Sequence, residues 1–239
     1  MADDRKEMLD LLIAQDRVRP PLEPPAACTH CLTPLPPDKR AYRECHPCYP
    51  QHPRILEGFA AATYAVKGTP AWDLLLDAKF KRVPPEVLDG AVRSIAASTS
   101  LAAEVSFPRF FTSDEQFVAI LIPSRSGLMS RCAEAWGAQK DWPRPTVIEG
   151  LTADSSRPHQ TGLSLPERRE AAQGKYECNV DLGLRHVLLI DDVYTTGHTI
   201  FDAARAVLAA GAESVSAVVY ARYFTQSNIA MEIYSKAVK

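Results

Sequence analysis

The chain lacks three features: those typical of membrane proteins, of secreted proteins and of strongly basic proteins that coat nucleic acids. It has 239 residues, and no apolar run in it approaches the roughly 18–20 residues that a membrane helix needs. Its N-terminus, MADDRKEMLDLL, is acidic and polar, unlike a signal peptide. Its 27 basic residues do not outnumber its 29 acidic ones, whereas nucleic-acid coats normally carry a basic excess. We therefore expect a protein of the reducing cytoplasm with one or two domains.

The cysteines are few but unevenly placed. Of the six, Cys28, Cys31, Cys45 and Cys48 form two C-x-x-C motifs separated by thirteen residues. This spacing is typical of a closed, tetrahedral, structural Zn²⁺ site with four thiolate ligands. Because the segment has few apolar residues, we expect it to need the metal to fold, and we expect the following domain to keep its own unfolding transition.

Other interpretations of these cysteines stay open. Two disulfides would fit a secreted chain, and a redox pair usually needs one C-x-x-C near a thioredoxin-type unit. Histidines in the same segment are alternative ligands: His30, His46 and His52. Cys132 and Cys178 lie far from the cluster and are predicted to be buried fillers.

Composition divides the chain into three parts. Residues 1–25 combine a short amphipathic helix with a proline-rich linker, and residues 26–54 hold the four cysteines. From residue 55 to residue 239, apolar runs alternate with helical patterns. We predict strands at 59–66, 117–122, 146–149, 187–190 and 215–220, with helices between them. This alternation predicts an α/β fold with a doubly wound, mostly parallel sheet.

The helices are predicted from apolar stripes at helical spacing. The first begins at Thr69 and Pro70, a cap and a favoured first residue. The predicted buried faces are Met8, Leu11, Leu12; Trp72, Leu75, Leu76; Leu88, Val92, Ile95, Ala96; Met129, Cys132, Ala133, Trp136; and Ile200, Ala204, Val207, Leu208, the last helix ending near Gly211.

The most informative stretch is V-L-L-I-D-D-V-Y-T-T-G-H-T, residues 187–199. A buried strand ends in Asp191 and Asp192, and a Thr/Gly turn then opens a helix. Backbone amides and threonine hydroxyls at a helix N-terminus favour a phosphate, and Gly197 allows its close approach. The acids suit sugar hydroxyls and Mg²⁺.

This stretch resembles the phosphoribosyl pyrophosphate (PRPP) loop of type I phosphoribosyltransferases. With the cysteine segment before it, the chain resembles the ComF family of competence-associated phosphoribosyltransferase-like proteins. Two further marks agree: Lys79 followed by Phe80, and Q-T-G-L-S-L-P-E-R-R at 160–169. The resemblance covers residues 28 to about 220 and implies the type I phosphoribosyltransferase fold with a small N-terminal zinc module.

One segment departs from the family pattern. After the strand ending near Pro123 the chain reads P-S-R-S-G-L-M-S-R-C, without the family's arginine-rich stretch. This departure weakens any DNA-related role inferred from the family. The resemblance assigns catalysis to Asp191 and Asp192, and PRPP binding to Lys79, Ser124, Arg125, Ser126, Gly127, Val193, Tyr194, Thr195, Thr196, Gly197, His198 and Thr199.

Three functions stay open. The first is a Mg²⁺-dependent phosphoribosyltransferase that transfers a phosphoribosyl group to a nitrogenous acceptor and releases pyrophosphate. The second is a PRPP or nucleotide sensor without turnover, and the third is a nucleic-acid-associated factor, which the net charge disfavours. A homodimer and a protein partner at the N-terminal helix or zinc module are also open. The sequence contains no motif that identifies the acceptor.

Overall fold

The computed structural model describes residues 4–43, 45, 55–112, 114–139, 142–154, 174–224 and 228–237. Seven strands lie in these ranges. They are β1 (Gly58–Val66), β2 (Phe117–Leu121), β3 (Thr146–Val147), β4 (Leu151–Ala153), β5 (Tyr176–Cys178), β6 (His186–Tyr194) and β7 (Ser214–Phe224). Five of them form one sheet in the order β1-β7-β6-β2-β3, with every neighbouring pair parallel.

The predicted α/β fold with a mostly parallel sheet is confirmed. All five predicted strands are members of the main sheet, although β6 continues through both acids to Tyr194 instead of ending at Asp192. The antiparallel pair β4–β5 was not predicted. Each of these two strands has three residues, too few to show an alternating pattern.

The helices follow the predicted order. They are α1 (Asp4–Ala14), α2 (Pro70–Phe80), α3 (Pro85–Ser106), α4 (Leu128–Ala138), α5 (His198–Ala209) and α6 (Asn228–Ala237), with 3₁₀ helices at Pro37–Tyr42 and Pro108–Phe111. Thr69 caps α2 as predicted, accepting a hydrogen bond from the backbone N–H of Trp72. No helix among the described residues is long and apolar enough to cross a bilayer.

In some helices the buried face is rotated about the helix axis relative to the predicted one. In α2 the buried residues include Leu74 and Leu75, whereas Trp72 is half-buried and stacks on Tyr223. In α1, Leu12 is buried but Leu11 is 57% exposed. Short helices show too few turns for the sequence to locate the centre of an apolar stripe to better than one position.

The sheet separates two hydrophobic cores. On one face, Leu188 and Ile190 of β6 pack with α1, α2, α3 and α4. On the other face, Val187 and Leu189 pack with α5. Successive side chains of a strand point to opposite faces, so one continuous apolar run supplies both cores.

The cysteine segment packs directly on the second core. Cys28, Cys31 and Leu35 are buried among residues that include Phe59 of β1 and Tyr194 of β6. The segment therefore shares a hydrophobic core with the α/β domain, which revises the expectation that the domain would unfold independently of it.

Candidate functional site

The candidate site lies at the carboxyl ends of β6 and β2, where the chain direction across the sheet reverses. From β6 the chain crosses through α5 to β7 on one side, and from β2 it crosses through α4 to β3 on the other. The two loops diverge and leave a crevice between them, the usual position of a ligand in an open parallel sheet. The structure thus brings together the loops at 122–127 and 195–197, both of which were predicted to bind PRPP.

The turn between β6 and α5 presents backbone groups at a helix N-terminus. Gly197 has φ +83°, a left-handed conformation that favours glycine, and it provides no side-chain cap to α5. The cap residue therefore supplies no side-chain acceptor to the first backbone N–H groups of α5, at the end of the helix next to the crevice. The helix dipole favours an anion at this end. Thr195, Thr196 and Thr199 are half-buried around the turn.

Two residues of the predicted PRPP loop have different surroundings from the threonines. Tyr194 is 4% exposed, and its ring packs against the rings of Phe59 and Phe201. The ring therefore supports the turn by packing under it. Val193 packs against the first core, and His198 is the first residue of α5.

We expect replacement of Gly197 with alanine to impair the turn. An added Cβ would lie 2.5 Å from Tyr194 Oη and 2.8 Å from Phe201 Cε2. The left-handed backbone would add about 1–2 kcal/mol of strain. The expected result is weaker binding of Mg²⁺–PRPP in calorimetric titration and a lower melting temperature.

The matched control for this substitution is Gly90→Ala in α3, where an added Cβ meets nothing within 4 Å. Alanine is favoured over glycine inside a helix by about 1 kcal/mol, so this variant should bind normally and melt slightly later. A Gly197→Ala protein with the affinity of the Gly90→Ala protein would show that the turn does not hold the ligand.

Asp191 and Asp192 form a buried acidic pair at the end of β6. They are 5% and 3% exposed, and the backbone N–H of Asp192 donates to Asp191 Oδ1 at 2.8 Å. Burial, and next the negative charge of Asp192, raise the pKa of Asp191 to about 8, although Lys79 and Lys175 oppose the shift. The charged form of Asp191 is therefore disfavoured without a bound cation, and a divalent cation would relieve the repulsion between the two carboxylates.

Two basic side chains, Lys79 and Lys175, adjoin this pair, and a third, Arg125, lies near Lys175. Lys79, near the end of α2, forms an ion pair with Asp192 at 2.7 Å from Nζ to Oδ2. Lys175, just before β5, is half-buried; burial lowers its pKa, and the charges of Asp191 and Arg125 act on it in opposite directions. Arg125 itself is exposed in the loop after β2. The crevice therefore combines acids for a metal with cations for phosphate groups.

The loop after β2 is a tight turn that opens α4. The backbone N–H of Gly127 donates to Ser124 O, and Ser126 Oγ accepts from the N–H of Leu128 at 3.3 Å. Arg131 Nη2 donates to Ala78 O at 2.8 Å and to Ser126 O at 3.4 Å. Arg131 thereby ties this loop to the residue next to Lys79, a positioning contact that sequence analysis left undefined.

Asp202 is a functional candidate that sequence analysis missed. It lies in α5, is 4% exposed, and accepts hydrogen bonds from the backbone N–H groups of Gly174, Lys175 and Tyr176 at 2.7–3.0 Å. Its carboxylate therefore holds Lys175 beside the acidic pair. Sequence analysis did not single out Asp202, which lies between Ile200 and Ala204 of the predicted helix face.

The cysteine cluster forms a second centre. The sulfurs of Cys28, Cys31 and Cys45 all lie within 4.8 Å of one another, and those of Cys31 and Cys45 are 3.5 Å apart. Zn–S bonds of about 2.3 Å in a tetrahedron put sulfurs about 3.8 Å apart, so these residues fit a thiolate-bound Zn²⁺.

Several predicted residues fall outside the described ranges. They are Cys48, His46 and His52 of the cysteine segment, and the Q-T-G-L-S-L-P-E-R-R stretch at 160–169. The fourth zinc ligand and the role of that stretch stay predictions.

Comparison with known proteins returned structural neighbours but no sequence relatives. No protein-family model matches the chain, and no curated protein matches it. A hypoxanthine phosphoribosyltransferase from Staphylococcus aureus is 11% identical, with a TM-score of 0.36 over 58% of this chain and 75% of that one. The Trypanosoma cruzi hypoxanthine phosphoribosyltransferase is 14% identical (TM-score 0.38, 59% and 75%), and the L. donovani hypoxanthine-guanine enzyme is 17% identical (0.36, 55% and 71%). Similarity at this level says nothing about the substrate of this chain.

Chemically, the crevice can hold a phosphorylated sugar with a divalent cation. The turn at 195–197 suits a phosphate monoester, the buried acids suit hydroxyl groups and Mg²⁺, and the basic side chains suit a second, more highly charged phosphate group. The acidic pair does not supply a strong nucleophile, so the arrangement favours positioning and electrostatic stabilisation over covalent catalysis.

Proposed function

We propose that this chain binds PRPP with Mg²⁺ and transfers its phosphoribosyl group to a nitrogenous acceptor, releasing pyrophosphate. The observation that carries the proposal is the position of Asp191 and Asp192 beside the left-handed Gly197 turn at the start of α5. Both lie at the point of the parallel sheet where ligands bind.

In this proposal each part of the crevice contacts one part of PRPP. The amides and hydroxyls at 195–199 hold the 5′-phosphate, and Asp191 and Asp192 orient the ribose hydroxyls and hold Mg²⁺. When bound, Mg²⁺ supplies positive charge that neutralises the departing pyrophosphate. The pyrophosphate oxygens are bound by Lys79, Lys175 and the loop Ser124–Gly127.

The transfer itself needs little covalent chemistry from the protein. Displacement of pyrophosphate at C1 passes through a transition state with positive charge on the ribose, which nearby carboxylates stabilise. Asp192 is paired with Lys79 in the ligand-free protein. We infer that Lys79 leaves Asp192 for the pyrophosphate when the ligand enters, so the same ammonium group neutralises the site before binding and the leaving group after it.

Calorimetric titration of PRPP into the full chain, with and without Mg²⁺, tests the proposal. We expect binding that requires Mg²⁺, because the cation would be held by the buried acids and would offset the negative charges of the pyrophosphate. Ribose 5-phosphate and pyrophosphate, each alone, should bind more weakly, since each fills one part of the crevice. Absence of binding to PRPP in the presence of Mg²⁺ would overturn the proposal.

A pyrophosphate-release assay with a panel of nitrogenous acceptors separates an enzyme from a sensor. Release that depends on an acceptor supports transfer, whereas tight binding with no release supports the sensor. Salt-dependent binding of an oligonucleotide that PRPP does not displace would favour the nucleic-acid-associated factor.

We further propose that the chain is a ComF-family protein of the cytoplasm with a structural Zn²⁺ bound by Cys28, Cys31, Cys45 and Cys48. The described sulfur cluster and the order of the two centres along the chain support this. Contacts with a protein partner through α1 or the cysteine segment, and a homodimer, belong to the same proposal and are tested by light scattering and by pull-down with the zinc-loaded chain.

A further inference from the structure

Arg222 is a buried cation near the carboxyl end of β7. It lies in β7 opposite Tyr194 of β6 and Tyr64 of β1, and it is 7% exposed. Arginine is rarely buried unless its N–H groups are paired, because desolvation of its charge is costly. Besides a bond to the carbonyl of the next residue, Tyr223, its hydrogen bonds go in two directions, toward the phosphate-binding turn at 195–197 and toward the cysteine cluster.

Toward the turn, Arg222 holds the backbone. Its Nη1 donates to Thr195 O at 2.8 Å and to Tyr194 O at 3.2 Å, and its guanidinium carbon lies 4.8 Å from the centre of the Tyr194 ring. In a planar trans peptide the C=O and N–H point in opposite directions. By fixing Thr195 O, Arg222 therefore directs the N–H of Thr196 away from itself.

Toward the cluster, Arg222 contacts Cys31 directly and also through Thr33. Its Nε donates to Cys31 O at 2.8 Å, and its Nη2 donates to Thr33 Oγ1 at 3.0 Å. Thr33 Oγ1 in turn lies 3.0 Å from Cys31 Sγ. Because Thr33 accepts from Arg222, its own hydroxyl hydrogen is available to the sulfur. Such contacts behind a ligand orient it toward the metal.

We propose that Arg222 and Thr33 form a relay that makes the order of the phosphate-binding turn depend on metal in the cysteine cluster. With Zn²⁺ bound, Cys31 is held in place, and Cys31 O and Thr33 keep the guanidinium aligned with Thr195 O. Without Zn²⁺ the guanidinium loses fixed acceptors on one side, and the turn loses its support. Arg222 is thus a positioning residue for the phosphate-binding turn; the part concerning PRPP rests on the proposed function.

Hydrogen exchange measures the relay without any ligand. In the wild-type chain, removal of zinc should raise the amide exchange rate of peptides covering 194–199. In Arg222→Gln the rate should already be high with zinc bound, and zinc removal should add little. Thr33→Val, which keeps the side-chain shape and loses the hydroxyl, should release zinc to a chelator about 10- to 100-fold faster. It also serves as the test variant if Arg222→Gln does not fold.

Two control variants separate the relay from simple docking of the cysteine segment. Tyr64→Phe removes two hydrogen bonds of Tyr64 Oη, one donated to Leu32 O and one accepted from the backbone N–H of Leu22; neither involves the side chains of Arg222 and Thr33. Arg205→Gln removes an exposed arginine from α5. Both should keep wild-type exchange at 194–199. An amide exchange rate at 194–199 that does not change when zinc is removed from the folded wild-type chain would overturn the relay. A rate that rises as much in Tyr64→Phe as in Arg222→Gln would also overturn it.

Calorimetric titration of Mg²⁺–PRPP tests whether the relay affects ligand binding. Zinc-free wild type and zinc-loaded Thr33→Val should bind Mg²⁺–PRPP at least about 10-fold more weakly than zinc-loaded wild type, the scale of one lost hydrogen bond to a charged group. If zinc-loaded wild type itself does not bind PRPP, the proposed function fails while the exchange data still decide the relay. Equal affinity with and without zinc would overturn the relay alone.

Discussion

Replacing both Asp191 and Asp192 with asparagine is expected to abolish Mg²⁺-dependent binding of PRPP. The two carboxylates are the buried acids of the crevice, and asparagine keeps their shape while removing the charge that attracts a hard cation. We expect no binding heat at ligand concentrations about 100-fold above the wild-type Kd, equivalent to a loss of at least about 2.7 kcal/mol. Affinity equal to wild type would show that the acids do not hold the ligand.

The single variant Asp191→Asn is expected to stabilise the ligand-free protein as it destroys binding. The pKa of Asp191 is raised to about 8 in the folded chain. Between about pH 4 and pH 8 the folded chain therefore keeps a proton that the unfolded chain has already released. Stability therefore falls as pH rises through this window, since the unfolded state binds fewer protons there. Asparagine stays neutral and can still accept the hydrogen bond from the backbone N–H of Asp192.

Melting temperatures between pH 5 and pH 8.5 measure this effect. Wild type should lose stability with rising pH, and Asp191→Asn should be flatter and melt higher above pH 7, with Lys79, Lys175 and Asp192 still facing the site. The exposed Asp89→Asn in α3 is the matched control and should follow the wild-type curve. Parallel curves for wild type and Asp191→Asn would contradict the raised pKa.

Removal of the metal is expected to lower the melting temperature of the whole protein, not only to loosen the cysteine segment. Cys28 and Cys31 are 0% and 3% exposed and belong to the same core as Phe59 and Tyr194. Loss of several kcal/mol of metal-binding energy corresponds to a drop on the order of 10 °C, at about 2–4 °C per kcal/mol for a chain of this size.

Calorimetric unfolding with and without chelator makes this measurement. Cys31→Ser should reproduce the chelated protein and lose bound zinc, whereas Cys178→Ser, a cysteine outside the cluster, should keep the metal and the wild-type transition. A main transition at an unchanged temperature after chelation would show that the α/β domain folds independently of the cysteine centre.

The sequence alone was sufficient for the order of the strands in the main sheet and for the choice of the candidate site. Each strand of the main sheet was predicted, because β-branched and apolar runs of four residues or more are local signals. The alternation of strands and helices implies a parallel sheet, and in such a sheet the strand ends before Ser124 and Thr195 must meet at one edge. The cysteine cluster followed from spacing alone.

The tertiary structure decided which side chains act on these loops. Lys79 pairs with Asp192, Asp202 holds Lys175, and Arg222 joins the turn to the cysteine segment. The partners of Arg222 lie as far as 191 residues away in the chain. No local pattern encodes such a pair, because a buried charge is satisfied by whichever groups the packed sheet brings within hydrogen-bond distance.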